Sequence, residues 1–333
     1  MQCTSHLKQI GLAVHNFHDT HMGLPPLCLL SRTNSNMQRP TMWVLIYPFL
    51  EQATLYDMYQ SYQTGSGSTL KRGFQNNFSN VWWNGLTDAE RMSHGAVSTY
   101  KCPTRRGSAY NIFYDPVIAT NANDCVEDQR QGGPLSDYAV VQVKMTNPDD
   151  SVTDNGRRWW DCHHTQSDST SAYDKQQWFP GPIRACITKR TAEPETWECR
   201  DTMAWWQDGT SNQFLAGEKH IPEGGLALPN TQYGDFPYHC TGNHRSVGPG
   251  RVMVKYYITP SDHTTVPLAK ERIKIGSTEM IHEETYGLFG SWHPGVCNFV
   301  LGDGSVRSIS VACGKQTLMS YSVVYDGTSA ELP

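Results

Sequence analysis

Apolar residues near the start of the chain recur at helical spacing. Leu7, Ile10, Val14 and Phe17 stand at i, i+3, i+7 and i+10, so residues 4–19 present one apolar stripe and predict an amphipathic helix. Thr4 or Ser5 is available as its N-cap, and Gly23 and Pro25 end it. Residues 41–60 predict a second helix with Trp43, Ile46, Tyr47, Leu50 and Leu55 inward and Pro48 as a kink or first-turn residue. A loop rich in Ser, Gly and Asn follows over 61–80. Short strands are predicted at Ser98–Cys102, stopped by Pro103, at Tyr138–Val143 and at Gln213–Ala216. From about 105 to 205 periodicity gives way to turn chemistry, as in Gln131-Gly132-Gly133-Pro134 and Asn147-Pro148-Asp149-Asp150, and a second polar excursion occupies 219–285. The C-terminal part predicts a hairpin in which Cys297–Leu301 and Val306–Val311 pair across an Asp303-Gly304 turn. Nine residues separate His293 from Asp303, which places the two at the hairpin's base. With no internal repeat and no clean linker, the chain reads as one domain, 1–333, with an aromatic and cysteine-rich insert at 105–205 and the hairpin region at 286–325.

Composition narrows the class. A chain of 333 residues buries roughly 75% of its extended surface, so it needs no staple in order to fold. Hydrophobic content of 38% with 28 Gly and 19 Pro fits a loop-rich globular protein, and no stretch approaches the roughly 18 apolar residues of a membrane span. The net charge of −5 is mild and the basic residues are scattered, which argues against nucleic acid as a partner. Ten cysteines form an even set with no CxxC pair. Three to five disulfides in an oxidising compartment are the expectation, and Cys125, Cys162, Cys186, Cys199 and Cys240 crowd the polar middle third.

Several groups are candidates for chemistry. Asp208-Gly209-Thr210-Ser211-Asn212 gathers oxygen donors of the kind Ca²⁺ favours, although a tight turn capped by Asp208 uses the same residues. Glu218, His293 and Asp303 converge if neighbouring strand ends meet, either as a Ca²⁺ or other divalent-metal site with Asp208 or as a hydrogen-bonded polar lock. His15 and His18 share a helix face, as a metal pair or as packing. Trp159, Trp160, Trp178, Trp205 and Trp206 offer rings that either stack on a glycan or fill a core or subunit interface. No G-x-S-x-G, H-E-x-x-H or P-loop is present, and no catalytic residue is assigned.

The segments Cys3–Thr20, Leu24-Pro25-Pro26, Trp43–Gln52, Tyr100–Arg106, Ser136-Asp137-Tyr138, Asp208–Asn212 and Gly217-Glu218-Lys219, with the H-X9-DG pattern at His293 and Asp303-Gly304, resemble the DUF1559 family of bacterial prepilin-like proteins. Thr104 departs from the family's usual Ser after Cys102-Pro103. The resemblance implies an α+β, pilin-like fold: an N-terminal helix packed on an antiparallel sheet, with long disulfide-bearing loops. It makes residues 1–22 the remainder of a longer helix whose leader and apolar half precede Cys3, and that lost segment the only membrane attachment. It further implies an exported, cell-surface or extracellular structural subunit, not an enzyme, that forms homo-oligomeric filaments, tubes or layers. A membrane-anchored module binding glycans or another solute is the alternative.

Overall fold

The computed structural model describes residues 2–30, 41–61, 86–107, 112–113, 133–146, 181–184, 186–187, 199–227, 235, 237–239, 250–257, 263–269, 288–324 and 327. Helix α1 (Gln2–His21) buries Cys3, Leu7, Ile10, Gly11, Ala13, Val14 and Phe17 and turns Ser5, Lys8, Gln9 and Asn16 to solvent, as its stripe requires. Residues 41–61 form two α-helices rather than one, α2 (Met42–Leu45) and α3 (Ala53–Ser61), with a 3₁₀ turn at Tyr47–Leu50 between them. Pro48 cannot continue the α2 hydrogen-bond ladder, and Glu51 takes a left-handed conformation at φ 59°. Helix α4 (Asp88–Gly95) begins with a capping box between Thr87 and Glu90. The predicted strand at 98–102 is a 3₁₀ turn, Ser98–Tyr100. It is held in place because the Tyr100 hydroxyl donates to Trp43 O at 2.6 Å from inside the core.

Among the described residues, six of ten strands make one sheet. Strands β1 (Leu29–Leu30) and β5 (Cys186–Ile187) pair with each other, as do β2 (Ile112–Phe113) and β3 (Gly133–Pro134). The main sheet contains β4 (Tyr138–Thr146), β6 (Phe214–Glu218), β7 (Gly250–Tyr257), β8 (His263–Thr265), β9 (Val296–Leu301) and β10 (Val306–Ser310), in the order β10-β9-β6-β4-β7-β8. It is mixed rather than wholly antiparallel, because β4 and β7 run parallel. The intervening chain carries β6 to one side of β4 and returns as β7 on the other, the long connection that a parallel pair requires.

Alternation along the strands makes two cores. Val140, Leu215 and Val300 join Leu7, Ile10, Val14 and Phe17 under α1, while Ala139, Val141, Phe214, Phe299 and Leu301 meet Phe289 and Leu318 on the other face. Leu318 belongs to the C-terminal helix α5 (Lys315–Ser320). Gly11 lets the helix come close, since a Cβ there would lie 2.8 Å from Val300 Cγ2 and 3.1 Å from Gly304 Cα. The His15 Nε2 donates to Gly302 O at 2.8 Å, tying α1 to the turn between β9 and β10. That contact favours the packing role for His15. His18 instead reaches Asp19 at the surface.

Among the described residues, no helix is long and apolar enough to cross a membrane. The thiols of Cys3, Cys102, Cys199, Cys297 and Cys313 are not joined in disulfides. Of the five cysteines in which the loop cross-links were expected, Cys199 is therefore unpaired, and Cys125, Cys162, Cys240 and the side chain of Cys186 lie outside what the structure describes.

Candidate metal centre

Four segments far apart in sequence deliver one side chain each to a single point. Cys3 comes from the first turn of α1, Cys102 from the turn after Tyr100, Glu218 from the last residue of β6 and His293 from the loop entering β9. Strands β6 and β9 are antiparallel, so the end of one lies beside the start of the other. The four ligand atoms lie within 4.8 Å of one another. Cys3 Sγ is 2.8 Å from Cys102 Sγ, which is 3.7 Å from His293 Nε2, itself 3.3 Å from Glu218 Oε1. Cys3, Cys102 and Glu218 are buried, while the His293 side chain keeps 22% of its surface exposed.

Glu218, Cys102 and His293 are held from behind. Glu218 Oε2 accepts from both Asn298 N and Asn298 Nδ2 at 2.9 Å, which aims Oε1 into the cluster. Oε1 is buried, and among the described residues it meets His293 Nε2 as an ion pair at 3.3 Å rather than a regular hydrogen bond. Cys102 N donates to Asp137 Oδ2 at 2.7 Å, and Thr104 Oγ1 lies 2.9 Å from Cys102 Sγ. His293 N donates to Ser291 Oγ at 3.1 Å.

A buried ionic network underlies these supports. Arg105 reaches both Asp137 and Gly290 O, and Arg106 joins Asp137 to Asp235. Lys219, next to the site, lies 3.3 Å from Asp235. Burial works against ionised Asp137, but the Arg106 and Arg105 guanidinium groups hold its carboxyl below the usual range.

The electrostatics mark one acidic thiol. The hydrogen bond from Cys102 lowers Cys3 to about 7 in spite of burial, while the same bond and burial raise Cys102. The pair therefore releases its first proton easily and holds its second. The Glu218 carboxylate raises His293. Two sulfurs, an imidazole and a carboxylate can coordinate a borderline-soft cation, share protons as a lock, or lose two electrons to an external oxidant and join Cys3 to Cys102.

Of the expected metal residues, the structure brings together Glu218 and His293 and leaves Asp208 and Asp303 at the other end of the strands. Asp303 is not at the hairpin's base. It sits in the turn at its tip, where Oδ1 accepts from Ser305 N at 2.8 Å. The six residues of β9 separate it from His293 by roughly 20 Å at about 3.3 Å per residue. Asp303 N meets Thr210 O at 3.0 Å, beside the Asp208 turn. Asp208 Oδ1 accepts from Gly327 N at 3.2 Å and its carbonyl accepts from Asn212 Nδ2 at 2.9 Å, the turn-capping role.

The sequence reading missed Cys3 and Cys102 because it counted them into an even set of cysteines. The available signal was that all four cluster residues lie inside the short segments that carry the family resemblance. Among the expected aromatic residues, Trp206 is a core side chain donating to Pro182 O, and Trp205 donates to Gly181 O with Arg184 over its ring at 3.5 Å. Trp159, Trp160 and Trp178 lie outside the described residues.

The model of the family described as "Protein of unknown function (DUF1559)" matches residues 1–315 of the chain. No curated protein and no solved structure matches it.

Proposed function

Because the chain belongs to the DUF1559 family, and its helix is fastened along the sheet, we propose that it is an extracellular, pilin-like structural subunit that assembles with copies of itself. One observation carries this reading. Helix α1 is fixed to the sheet along its length: Cys3 enters the four-residue cluster at one end, Gly11 packs on Val300 midway, and His15 bonds Gly302 beyond it. A helix so held moves as one body with the sheet, which is what a subunit needs if load on the helix is to reach the rest of the domain. Leu12 remains 59% exposed on its outer face, an apolar group available to a neighbouring copy. In this reading the cluster is structural, and the protein is exported and acts at the cell surface with no catalytic turnover.

Negative-stain electron microscopy of the purified chain at neutral pH tests the proposal. Ordered filaments, tubes or sheets are expected. Uniform particles of one chain's mass across a concentration series would overturn it and favour the anchored glycan- or solute-binding module. That rival needs an open aromatic groove, to which Trp206, buried in the core, contributes no exposed ring face.

A further inference from the structure

We propose that Cys3, Cys102, Glu218 and His293 bind one zinc ion, which fastens the first turn of α1 to the sheet. The reading goes beyond the assembly proposed above and holds whether the subunit forms filaments or not.

With Zn–S near 2.3 Å and Zn–N and Zn–O near 2.0 Å, the S···N edge of a tetrahedral site is about 3.5 Å, the N···O edge about 3.3 Å and the S···S edge about 3.8 Å. The observed Cys102 Sγ to His293 Nε2 distance is 3.7 Å and the His293 Nε2 to Glu218 Oε1 distance is 3.3 Å. Two edges therefore stand at metal-site length already. The third, between the sulfurs at 2.8 Å, must open by about 1 Å for zinc, and it must close by about 0.8 Å for a disulfide. The sulfur separation alone does not decide between them.

Glu218 decides. Its Oε1 is fully buried, aimed into the cluster by the two Asn298 bonds to Oε2, and without a hydrogen bond among the described residues. A disulfide would consume both sulfurs and leave the buried carboxylate oxygen to His293 Nε2 alone, 3.3 Å away. A zinc ion satisfies it directly and neutralises most of the charge of two thiolates and a carboxylate. The donor set also selects the cation. Calcium and magnesium take oxygen ligands, whereas two thiolates with an imidazole suit zinc. Four protein ligands close the coordination sphere, the pattern of a structural rather than a catalytic zinc. His293, the one partly exposed member, gives the ion a route from solvent. Binding displaces the remaining thiol protons to solvent and involves no redox change.

The test uses the full chain, reduced and stripped of metal, titrated with Co²⁺ as a spectroscopic stand-in and then with Zn²⁺. One equivalent of cobalt should develop thiolate-to-metal charge transfer and tetrahedral d–d bands, and zinc should displace it. Elemental analysis should then find one zinc per chain. Cys3→Ser should abolish the charge-transfer signal of the intact site. His293→Gln should lower zinc affinity at least tenfold and lose the zinc-induced rise in Tm, measured against its own metal-free melting temperature. Asn298→Ala, which frees Glu218 to turn, should weaken zinc binding about 10- to 100-fold. The proposal is overturned if reduced wild-type chain shows no thiolate–cobalt band, if His293→Gln binds zinc as tightly as wild type, or if peptide mapping of native protein finds Cys3 bonded to Cys102.

Discussion

Replacing Asp235 with Asn tests whether the buried ionic network supports the fold around the cluster. In the native chain, Asp235 Oδ1 receives Arg106 Nη2 at 2.8 Å and faces Lys219 Nζ at 3.3 Å, while Oδ2 receives Arg106 Nη1 at 2.9 Å and Ala227 N at 2.8 Å. Every partner is a donor. Whichever way the Asn amide turns, its NH₂ opposes two donors, and the charge that balances Arg106 is gone. Lys219, lowered by burial to about 7, can shed its proton, so the penalty falls on Arg106. That guanidinium stays charged and loses one of the two carboxylates that face it among the described residues, keeping Asp137. Breaking a fully buried pair from one side costs about 3–5 kcal/mol. Unfolding entropy of about 2.1 cal/mol/K per residue over 333 residues converts this to a fall in Tm of about 4–7 °C. Thermal unfolding followed by circular dichroism at pH 7 measures it, with Asp88→Asn as comparison. Asp88 pairs with Arg91 at the surface with 95% of its side chain exposed, so that change should cost less than about 1 kcal/mol. Equal effects of the two substitutions would refute the argument that burial gives the Asp235 pair its weight.

His94 predicts acid sensitivity. Burial lowers it to about 4 from an ordinary 6.5, partly opposed by Glu90, so the fold keeps it neutral while the unfolded chain takes up a proton. Its contribution is complete above pH 6.5 and is lost as pH falls towards 4, by up to about 3 kcal/mol at 1.36 kcal/mol per unit. Denaturant titrations over that range should be steeper in pH for wild type than for His94→Gln, and equal slopes would exclude His94 as the source. Gly11→Ala should destabilise in spite of a gain of about 1 kcal/mol in helix propensity, because its Cβ would press on Val300 and Gly304 at an overpacking cost of about 1–3 kcal/mol. Combined with Val300→Ala, it should show a favourable coupling above about 0.5 kcal/mol in a double-mutant cycle, and strict additivity would refute the close contact.

Periodicity determined α1 and its buried face, because Leu7, Ile10, Val14 and Phe17 can be covered together only on one side of a helix. It also determined β6 and the hairpin of β9 and β10, whose apolar alternation and Asp303-Gly304 turn are local features. Gly304, at φ +77°, shows why glycine stands at that turn. Local pattern also misled where tertiary contacts won, as when Tyr100 bonding to Trp43 drew a predicted strand into a 3₁₀ turn. It was silent on which strand ends meet. His293 and Asp303 look adjacent in sequence, but a strand that advances about 3.3 Å per residue carries them to opposite ends of the sheet. Cys3 and Cys102, 99 positions apart, and His293, 191 beyond Cys102, meet because β6 and β9 are antiparallel neighbours and α1 crosses them. The order of strands across the sheet, including the parallel β4 and β7, is set by long-range burial and main-chain pairing. Only the tertiary structure decides it, and with it the composition of the site.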